Sequence, residues 1–228
     1  ELLERVPDQA EELTVFTNPP RTAADVAERL STILDSEQLL QQTVELMQSR
    51  FGLYHAHIYL LDEEMRKLDV HIGSGEIGRV LRERGHSIPL DKEKSLVART
   101  ARNREIVLVD DTSQEPDFMP NPLLPQTRSE MAVPLMVGNE VLGVLDLQDD
   151  RVARFTQADR DTFSVLAGQI ATGLQNARLF EEQRQTRAAL RESEDRYRDL
   201  IEHTHDLIST HDLQGQILSV NHEITRVL

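Results

Sequence analysis

Histidine side chains recur in strand-like stretches of the chain, and histidine suits acid–base and metal chemistry near neutral pH. His55, His57 and Tyr59 have the two-residue spacing that places side chains on one face of a β-strand. His71 falls in the next strand-like run, where a hairpin would bring it beside them. Such a group could hold a metal or a haem, but no carboxylate follows at a reliable ligand spacing. The sequence therefore favours a structural role, in which this strand face is covered by the preceding helix or lies at a solvated end of the sheet. It predicts no metal site.

Two further polar sets suit catalysis less well. Asp110-Asp111 and Asp149-Asp150 each follow a strand pattern, where solvated carboxylates are common, and neither pair accompanies a coherent nucleophile. His222-Glu223 superficially matches the phosphoacceptor box of histidine kinases. That box lies within a long amphipathic helix, whereas a strand pattern precedes His222. We expect no enzyme activity from this chain, with a small enzyme built on an acidic or histidine site as the alternative.

Composition excludes several functional classes. The 228 residues contain no cysteine, which removes disulfides, thiolate metal sites, nucleophilic thiols and cofactors attached through sulfur. The formal charge of −15 repels nucleic acid and anionic lipid, so we expect no nucleic-acid binding. No run of 18 or more apolar residues offers a membrane span, so we expect no direct membrane insertion. The beginning of the chain lacks a secretory signal pattern, and this predicts a cytoplasmic protein.

The elements that must position these residues begin with a connector over residues 1–35, with helical spacing in 22–34. A second helical stripe ends at Gly52, a typical C-terminal cap. Two strand patterns follow, then a helical patch near Ile77, a short strand at 87–90, a helix over 95–102 and a strand at 106–109. The stretch 110–129 holds four prolines and predicts a long surface loop or lid.

The stretch MAVPLMVGNEVLGVLDLQD at 131–149 predicts a central hairpin. Gly138-Asn139 suits a two-residue primed turn, since glycine takes positive φ without a Cβ penalty. Both strands carry apolar residues at both parities, so both faces of the sheet should be covered. Pro134 cannot donate to the ladder and predicts a bulge.

A very long helix is predicted after Phe155. Thr156 and Asp159 have capping-box spacing, and the polar run 181–187 interrupts the apolar pattern. Apolar residues before that run repeat at three and four, which predicts a helix seam for dimerisation. The seam residues are Phe163, Leu166, Ile170, Leu174 and Ala177. Residues 181–196 are predicted to form a coiled-coil linker.

These patterns resemble two known families. Residues 36–180 are similar to a GAF domain on Phe51-Gly52, SEMAVPL at 129–135, EVLGVLDL at 140–147, Phe155, Asp159, Ala167 and NARLF at 176–180. Residues 197–228 resemble the first half of a PAS domain on RYRDLIE at 196–202, DLI at 206–208, Asp212, Gly215, Ile217 and Asn221. The tandem order is similar to bacterial multi-sensor signalling proteins, most often sensor histidine kinases.

The resemblance implies an α+β fold: an antiparallel GAF sheet with flanking helices, a long C-terminal signalling helix and a truncated PAS start. It also implies a homodimer formed through helices and a ligand-sized pocket under loops. Bilin-binding and methionine-sulfoxide-reducing relatives use cysteines, which this chain lacks, so no covalent bilin is expected. The signature of cyclic-nucleotide-binding relatives is absent as well. The cofactor and the ligand remain unknown.

Candidate ligand contacts follow from the loop and the strands beside it. Arg128 and Ser129 close the loop and would provide polar contacts to an anionic ligand. The remaining candidates are His57, Tyr59, His71, Leu96, Thr100, Phe118 and Met119. We expect a sensory module that couples a small-ligand pocket to a dimeric signalling helix and to a downstream PAS and output domain. The alternatives are a ligand-free dimerisation spacer and a regulatory module of a cyclic-dinucleotide enzyme.

Overall fold

The computed structural model of the protein describes residues 36–227. The helix and connector predicted before residue 36 lie outside this range. The elements, numbered in chain order, are α1 Ser36–Phe51, β1 His55–Asp62, β2 Lys67–Gly73, α2 Gly75–Glu83, β3 Ser87–Pro89, α3 Leu96–Asn103, β4 Val107–Val109, β5 Ser129–Val137, β6 Glu140–Asp149, α4 Gln157–His203, β7 Ser209–His211, β8 Ile217–Val220 and α5 His222–Val227. They fall into two compact units, divided after Arg178.

The first unit is built on one six-stranded antiparallel sheet in the order β3-β2-β1-β6-β5-β4. One face packs on α1 and α4 through a core that includes Met47, Ile58, Leu145 and Phe163. The other face packs on α2 and α3 through a second core that includes Val70 and Val97. The predicted α+β fold with an antiparallel sheet is confirmed, as is the long C-terminal helix.

The central hairpin turns at Gly138 and Asn139, and Gly138 has a φ of +59°. Its register is regular from Ser129 to Leu135 and shifts between Leu135 and Met136. The prediction of a bulge at Pro134 is therefore wrong in position: the irregularity lies between Leu135 and Met136, and Pro134 keeps its place opposite Val144. Pro134 lies past the short edge strand β4, which pairs only with residues 130–132 of β5. Sheets tolerate proline best at such edges.

The helix α4 begins at the predicted capping box. The Thr156 amide donates to Asp159 Oδ2 at 2.8 Å, and the Asp159 amide donates to Thr156 Oγ1 at 3.2 Å. Arg154 donates to the Phe51 carbonyl at 3.0 Å, and the rings of Phe51 and Phe163 lie 4.8 Å apart. These contacts fix the start of α4 against the end of α1.

The predicted dimer seam of α4 needs correction. Phe163, Leu166 and Ile170 are completely buried in the core of the first unit, Leu174 packs against that core, and Ala177 is buried. The three-and-four spacing marks the face of α4 that covers the chain's own sheet. An amphipathic helix has the same spacing whether it packs on its own sheet or on a partner. The side chains of Phe163, Leu166 and Ile170 are therefore not available to a second chain.

The second unit contains the end of α4, the hairpin of β7 and β8, and α5. Asp212 Oδ1 accepts from the amides of Gln214 and Gln216 and shapes the turn, in which Gly215 has a φ of +84°. Asn221 is buried, and its side-chain Nδ2 donates to the carbonyls of Ile201 and Asp206. His222 begins a helix of six residues, so it does not lie within a long amphipathic helix.

Candidate functional site

A cavity of about 240 Å³ lies on the face of the sheet that packs on α2 and α3, opposite α1 and α4. Its floor consists of side chains from β1, β5 and β6, and its walls come from β3, the start of α3 and the proline-rich loop. At roughly 30 Å³ per molecule of liquid water, it has room for about eight water-sized groups. The cavity therefore suits a small ligand.

The floor is polar because three neighbouring strands place polar side chains on the same face. The register pairs Asp146 of β6 with His57 of β1 on one side and with Ala132 of β5 on the other. Two residues further along these strands, Gln148 of β6 pairs with Glu130 of β5. Alternation along each strand sends the residues between these positions to the opposite face. Glu130, Asp146 and Gln148 are buried and line the cavity.

A buried hydrogen-bond chain approaches Asp146 from the side of β1. The Ala56 amide donates to Ser74 Oγ at 3.1 Å, and Ser74 Oγ lies 3.1 Å from His55 Nδ1. His55 Nε2 lies 2.9 Å from His57 Nε2. His57 Nδ1 in turn lies 3.6 Å from Asp146 Oδ2, a charge contact slightly beyond hydrogen-bond length.

The direction of these hydrogen bonds follows from the two ends of the series, Ser74 and Asp146. If Ser74 Oγ accepted a hydrogen bond from His55 as well as from the Ala56 amide, His57 would have to donate to His55. The lone pair of His57 Nδ1 would then face the Asp146 carboxylate. If Ser74 donates to His55 instead, His55 donates to His57, and the N–H of His57 Nδ1 faces the carboxylate. The second arrangement puts opposite partial charges together. Burial lowers the pKa of His55 to about 3, which keeps this imidazole neutral.

The other side of Asp146 is held by the end of the loop. Gln148 Nε2 donates to Asp146 Oδ2 at 2.7 Å, and Thr127 Oγ1 donates to Gln148 Oε1 at 2.7 Å. Both contacts are buried, and Thr112 Oγ1 fixes the loop by donating to the Thr127 carbonyl. Asp146 Oδ2 is thus satisfied, whereas Asp146 Oδ1 is buried without a hydrogen-bond partner among the described residues.

Glu130 completes the acidic part of the floor. Burial raises its pKa well above the ordinary value, and the charge of Asp146 and a side-chain hydrogen bond with Asp146 raise it further. Burial also raises the pKa of the Tyr59 hydroxyl, with Asp146 as the next cause. Two carboxyl groups at one buried site do not both ionise readily, because like charges repel strongly away from water. Burial and the neighbouring Asp146 therefore favour the protonated form of Glu130.

The structure brings together only some of the predicted ligand contacts. Tyr59, Leu96, Phe118 and Met119 line the cavity. His57 lies beneath it, against Asp146. The sequence suggested that the face of β1 bearing His57 and Tyr59 lies under α1. The structure places Ala56 and Ile58 on that side instead.

The other predicted contacts lie elsewhere. Thr100 is buried in α3 and donates to the Ala132 carbonyl at 3.4 Å. Arg128 is half-exposed, 3.9 Å from Asp111, and Ser129 shares the strand face of Met131, opposite the cavity. His71 lies outside the cavity lining: its charged neighbours are Arg82 and Glu37.

Sequence reasoning missed Glu130, Asp146 and Gln148. A usable signal was present: these polar residues interrupt two largely apolar strands, and Asp146 and Gln148 occupy alternate positions of one of them. The two-residue turn fixes the register of those strands, so the three side chains could have been placed on one face. Within residues 36–227, no group of three or more His, Asp or Glu side chains is arranged to hold a metal ion.

Comparison with known proteins decides the family. The sequence matches the GAF domain family over residues 34–175. The chain belongs to the GAF domain family. A search among curated proteins gave no match.

Solved structures with the same fold include GAF domains and enzymes. The free methionine-R-sulfoxide reductase of Neisseria meningitidis is 20% identical with a TM-score of 0.63, and the match covers 78% of this chain and 98% of that one. The GAF domain of an Acinetobacter phosphoenolpyruvate-protein phosphotransferase is 22% identical with a TM-score of 0.61, over 70% and 93% of the two chains. A methyl-accepting chemotaxis protein, residues 122 to 287, is 21% identical with a TM-score of 0.57, over 68% and 98%.

The GAF domain is a sensory and regulatory module found in signalling proteins, and this chain contains one. None of the helices within the described range is long and apolar enough to cross a membrane.

Proposed function

We propose that this GAF domain is a non-catalytic input module, which binds a small molecule in the cavity and passes the change to α4. One observation carries the proposal: the strands whose side chains form the cavity floor pack against α4 with their opposite face. Tyr59 and Asp146 line the cavity, while Ile58 and Leu145, their neighbours in the chain, pack in the core that contains Phe163. Because protein interiors are close-packed, a displacement of these strands must be accommodated by the helix.

The output is a homodimer formed through the part of α4 that follows Arg178. There Leu179, Leu190, Tyr197 and Leu200 are each more than half exposed. Leu190 and Tyr197 are seven residues apart, and Leu179 and Leu200 are separated by 21, which places both pairs in one heptad pattern. The polar residues between them would make this a weakly specified coiled coil, and such a helix pair can adopt two packings.

The wider context of the module is a cytoplasmic bacterial sensor, with a histidine kinase as the output enzyme. Support comes from the second unit, where the strand, the Asp-x-x-Gly turn, the second strand and the short helix follow the order of a PAS start. The chemotaxis protein and the phosphotransferase among the structural neighbours are also consistent with signalling.

Native mass spectrometry of the full chain purified from cells tests ligand binding. We expect a small-molecule mass that accompanies the folded chain and disappears when the chain is denatured. A ligand-free spacer would show only the mass of the protein at every charge state. The small volume of the cavity, below the roughly 300–1,000 Å³ of common ligand sites, is the observation that favours this alternative.

A pair of charge-matched variants tests the dimer. Leu190→Glu places a carboxylate within the proposed seam, and Ala188→Glu places the same charge two residues away on another face of α4. Analytical ultracentrifugation should show a monomer for Leu190→Glu and a dimer for Ala188→Glu. A wild-type monomer, or equal behaviour of the two variants, would contradict the helix-mediated dimer.

A further inference from the structure

The proline-rich loop, residues 110–128 between β4 and β5, is fixed at its two ends. Thr112 Oγ1 donates to the Thr127 carbonyl at 2.9 Å, and Thr127 Oγ1 donates to Gln148 Oε1 in the cavity floor at 2.7 Å. These contacts hold the ends of the loop together and against the sheet. Phe118 and Met119, in the middle of the loop, line the cavity. The middle of the loop is therefore a flap over the cavity.

A single guanidinium group attaches this flap to α3 by ion pairs. Arg99 Nη1 lies 3.5 Å from Glu115 Oε1 and 4.0 Å from Asp117 Oδ2. Both distances exceed the length of a good charge-assisted hydrogen bond, about 2.7–2.9 Å. The side chains of Arg99 and Glu115 are also 29% and 25% exposed, and ion pairs in contact with water contribute little stability. Arg99 can therefore exchange these partners for a stronger one.

A stronger partner for Arg99 lies in the cavity floor, on the strand β5. The helix α3 packs over this strand, where Thr100 Oγ1 donates to the Ala132 carbonyl at 3.4 Å. Burial and the neighbouring Asp146 raise the pKa of Glu130, and the positive charge of Arg99 acts in the opposite direction. Arg99 is thus within electrostatic reach of both the loop carboxylates and Glu130.

While Glu130 is protonated, the floor needs no counter-ion. Asp146 Oδ2 accepts from Gln148 Nε2 at 2.7 Å and faces His57 Nδ1 at 3.6 Å. Asp146 Oδ1 receives no hydrogen bond from an amide, an imidazole or a hydroxyl group among the described residues. The carboxyl proton of Glu130 supplies the missing donor through the side-chain hydrogen bond with Asp146. Arg99 then remains with the loop.

Other titratable groups near Glu130 do not replace Arg99 as a cation. Burial lowers the pKa of His86, which lines the cavity, and raises the pKa of the Tyr59 hydroxyl, so both are neutral around and above neutral pH. His57 faces Asp146, and the paired strand β4 contains only apolar residues. Ionised Glu130 would thus have Arg99 as its counter-ion.

We propose that Glu130 and Arg99 form a pH-controlled latch of the proline-rich loop. When Glu130 loses its proton, two carboxylates lie at one buried site and require a counter-charge. Arg99 then turns from the loop carboxylates to the cavity floor and frees the flap, so the cavity is closed below the transition and open above it. This gating goes beyond the ligand-binding function proposed above, and it is measured without a ligand.

A single-tryptophan reporter tests the latch, because the chain contains no tryptophan. In Phe118→Trp the indole lies in the middle of the flap, and acrylamide quenching of its fluorescence measures its exposure. Between pH 6 and pH 9.5 we expect quenching to increase in a one-proton transition, which runs from about 10% to 90% over roughly two pH units. Equal quenching throughout this range would overturn the latch. A native mass spectrum without a small molecule would instead refute ligand binding and leave the latch standing.

Variants in the reporter background assign the two groups. Glu130→Gln, a neutral isostere, should abolish the transition and keep quenching at its low-pH value. Arg99→Gln should show the high-pH value already at pH 6. Glu93→Gln and Lys94→Gln remove exposed charges just before α3 and should leave the transition unchanged.

A transition that survives in Glu130→Gln would overturn the role of Glu130, and low quenching of Arg99→Gln at pH 6 would overturn that of Arg99. Far-UV circular dichroism shows whether each variant is folded. If Glu130→Gln does not fold, Arg99→Gln still decides the latch, since this side chain is partly exposed and lies outside both cores.

Discussion

The buried histidine pair makes the stability of the first unit depend on pH through His55. Burial lowers the pKa of His55 to about 3 in the folded chain, from the ordinary value of 6.5. Below pH 6.5 the unfolded chain therefore binds a proton at His55 that the folded chain does not bind. The free energy of unfolding falls as the pH decreases toward 3. At 1.36 kcal/mol per pKa unit, this group alone costs about 2 kcal/mol between pH 7 and pH 5.

Glu130 acts in the opposite direction. Its raised pKa lets the folded chain hold a proton where the unfolded chain has lost it, so its contribution is present at low pH and is lost as the pH rises through the folded value. The pH dependence of the wild type alone is therefore not decisive. His55→Gln removes the titrating group, keeps one donor and one acceptor in its place, and leaves Glu130 unchanged.

Urea unfolding followed by far-UV circular dichroism at pH 7 and pH 5 measures the effect. Between these two conditions the wild type should lose about 2 kcal/mol more than His55→Gln, whatever the absolute stability of the variant. Titration of the His55 ring by NMR gives a direct check. The reasoning is refuted if the two proteins share one pH dependence within about 0.5 kcal/mol, or if His55 titrates near its ordinary pKa.

Two further predictions concern packing in the first unit, and both are read from urea unfolding at neutral pH. Gly143→Ala should destabilise by more than about 2 kcal/mol, because its Cβ would overlap the Tyr59 carbonyl oxygen of the neighbouring strand; Gly168→Ala, on an open face of α4, should instead stabilise by up to about 1 kcal/mol. Equal effects would contradict the close approach of β1 and β6. Phe163→Ala should cost about 3–5 kcal/mol because the ring is completely buried, whereas Val165→Ala, at a 61% exposed position, should change stability by less than about 0.5 kcal/mol. A large loss at Val165 would indicate that a partner covers it.

Local patterns in the sequence determined most of the elements and the central hairpin. Gly138-Asn139 fixed the turn, the capping box of Thr156 and Asp159 fixed the start of α4, and Gly52 marked the end of α1. Each signal acts over a few residues, where the preferences of the backbone decide the conformation. Sequence motifs also identified the GAF domain, because those motifs combine several such local signals.

Tertiary structure decided the partners of each face. The spacing of Phe163, Leu166 and Ile170 predicts an apolar helix face, but only the fold shows that this face covers the chain's own sheet and leaves Leu190 exposed. The cavity floor depends in the same way on pairing between β1, β5 and β6, which brings His57, Asp146 and Glu130 together from distant parts of the chain. Periodicity records that a side chain is covered, and long-range pairing determines what covers it.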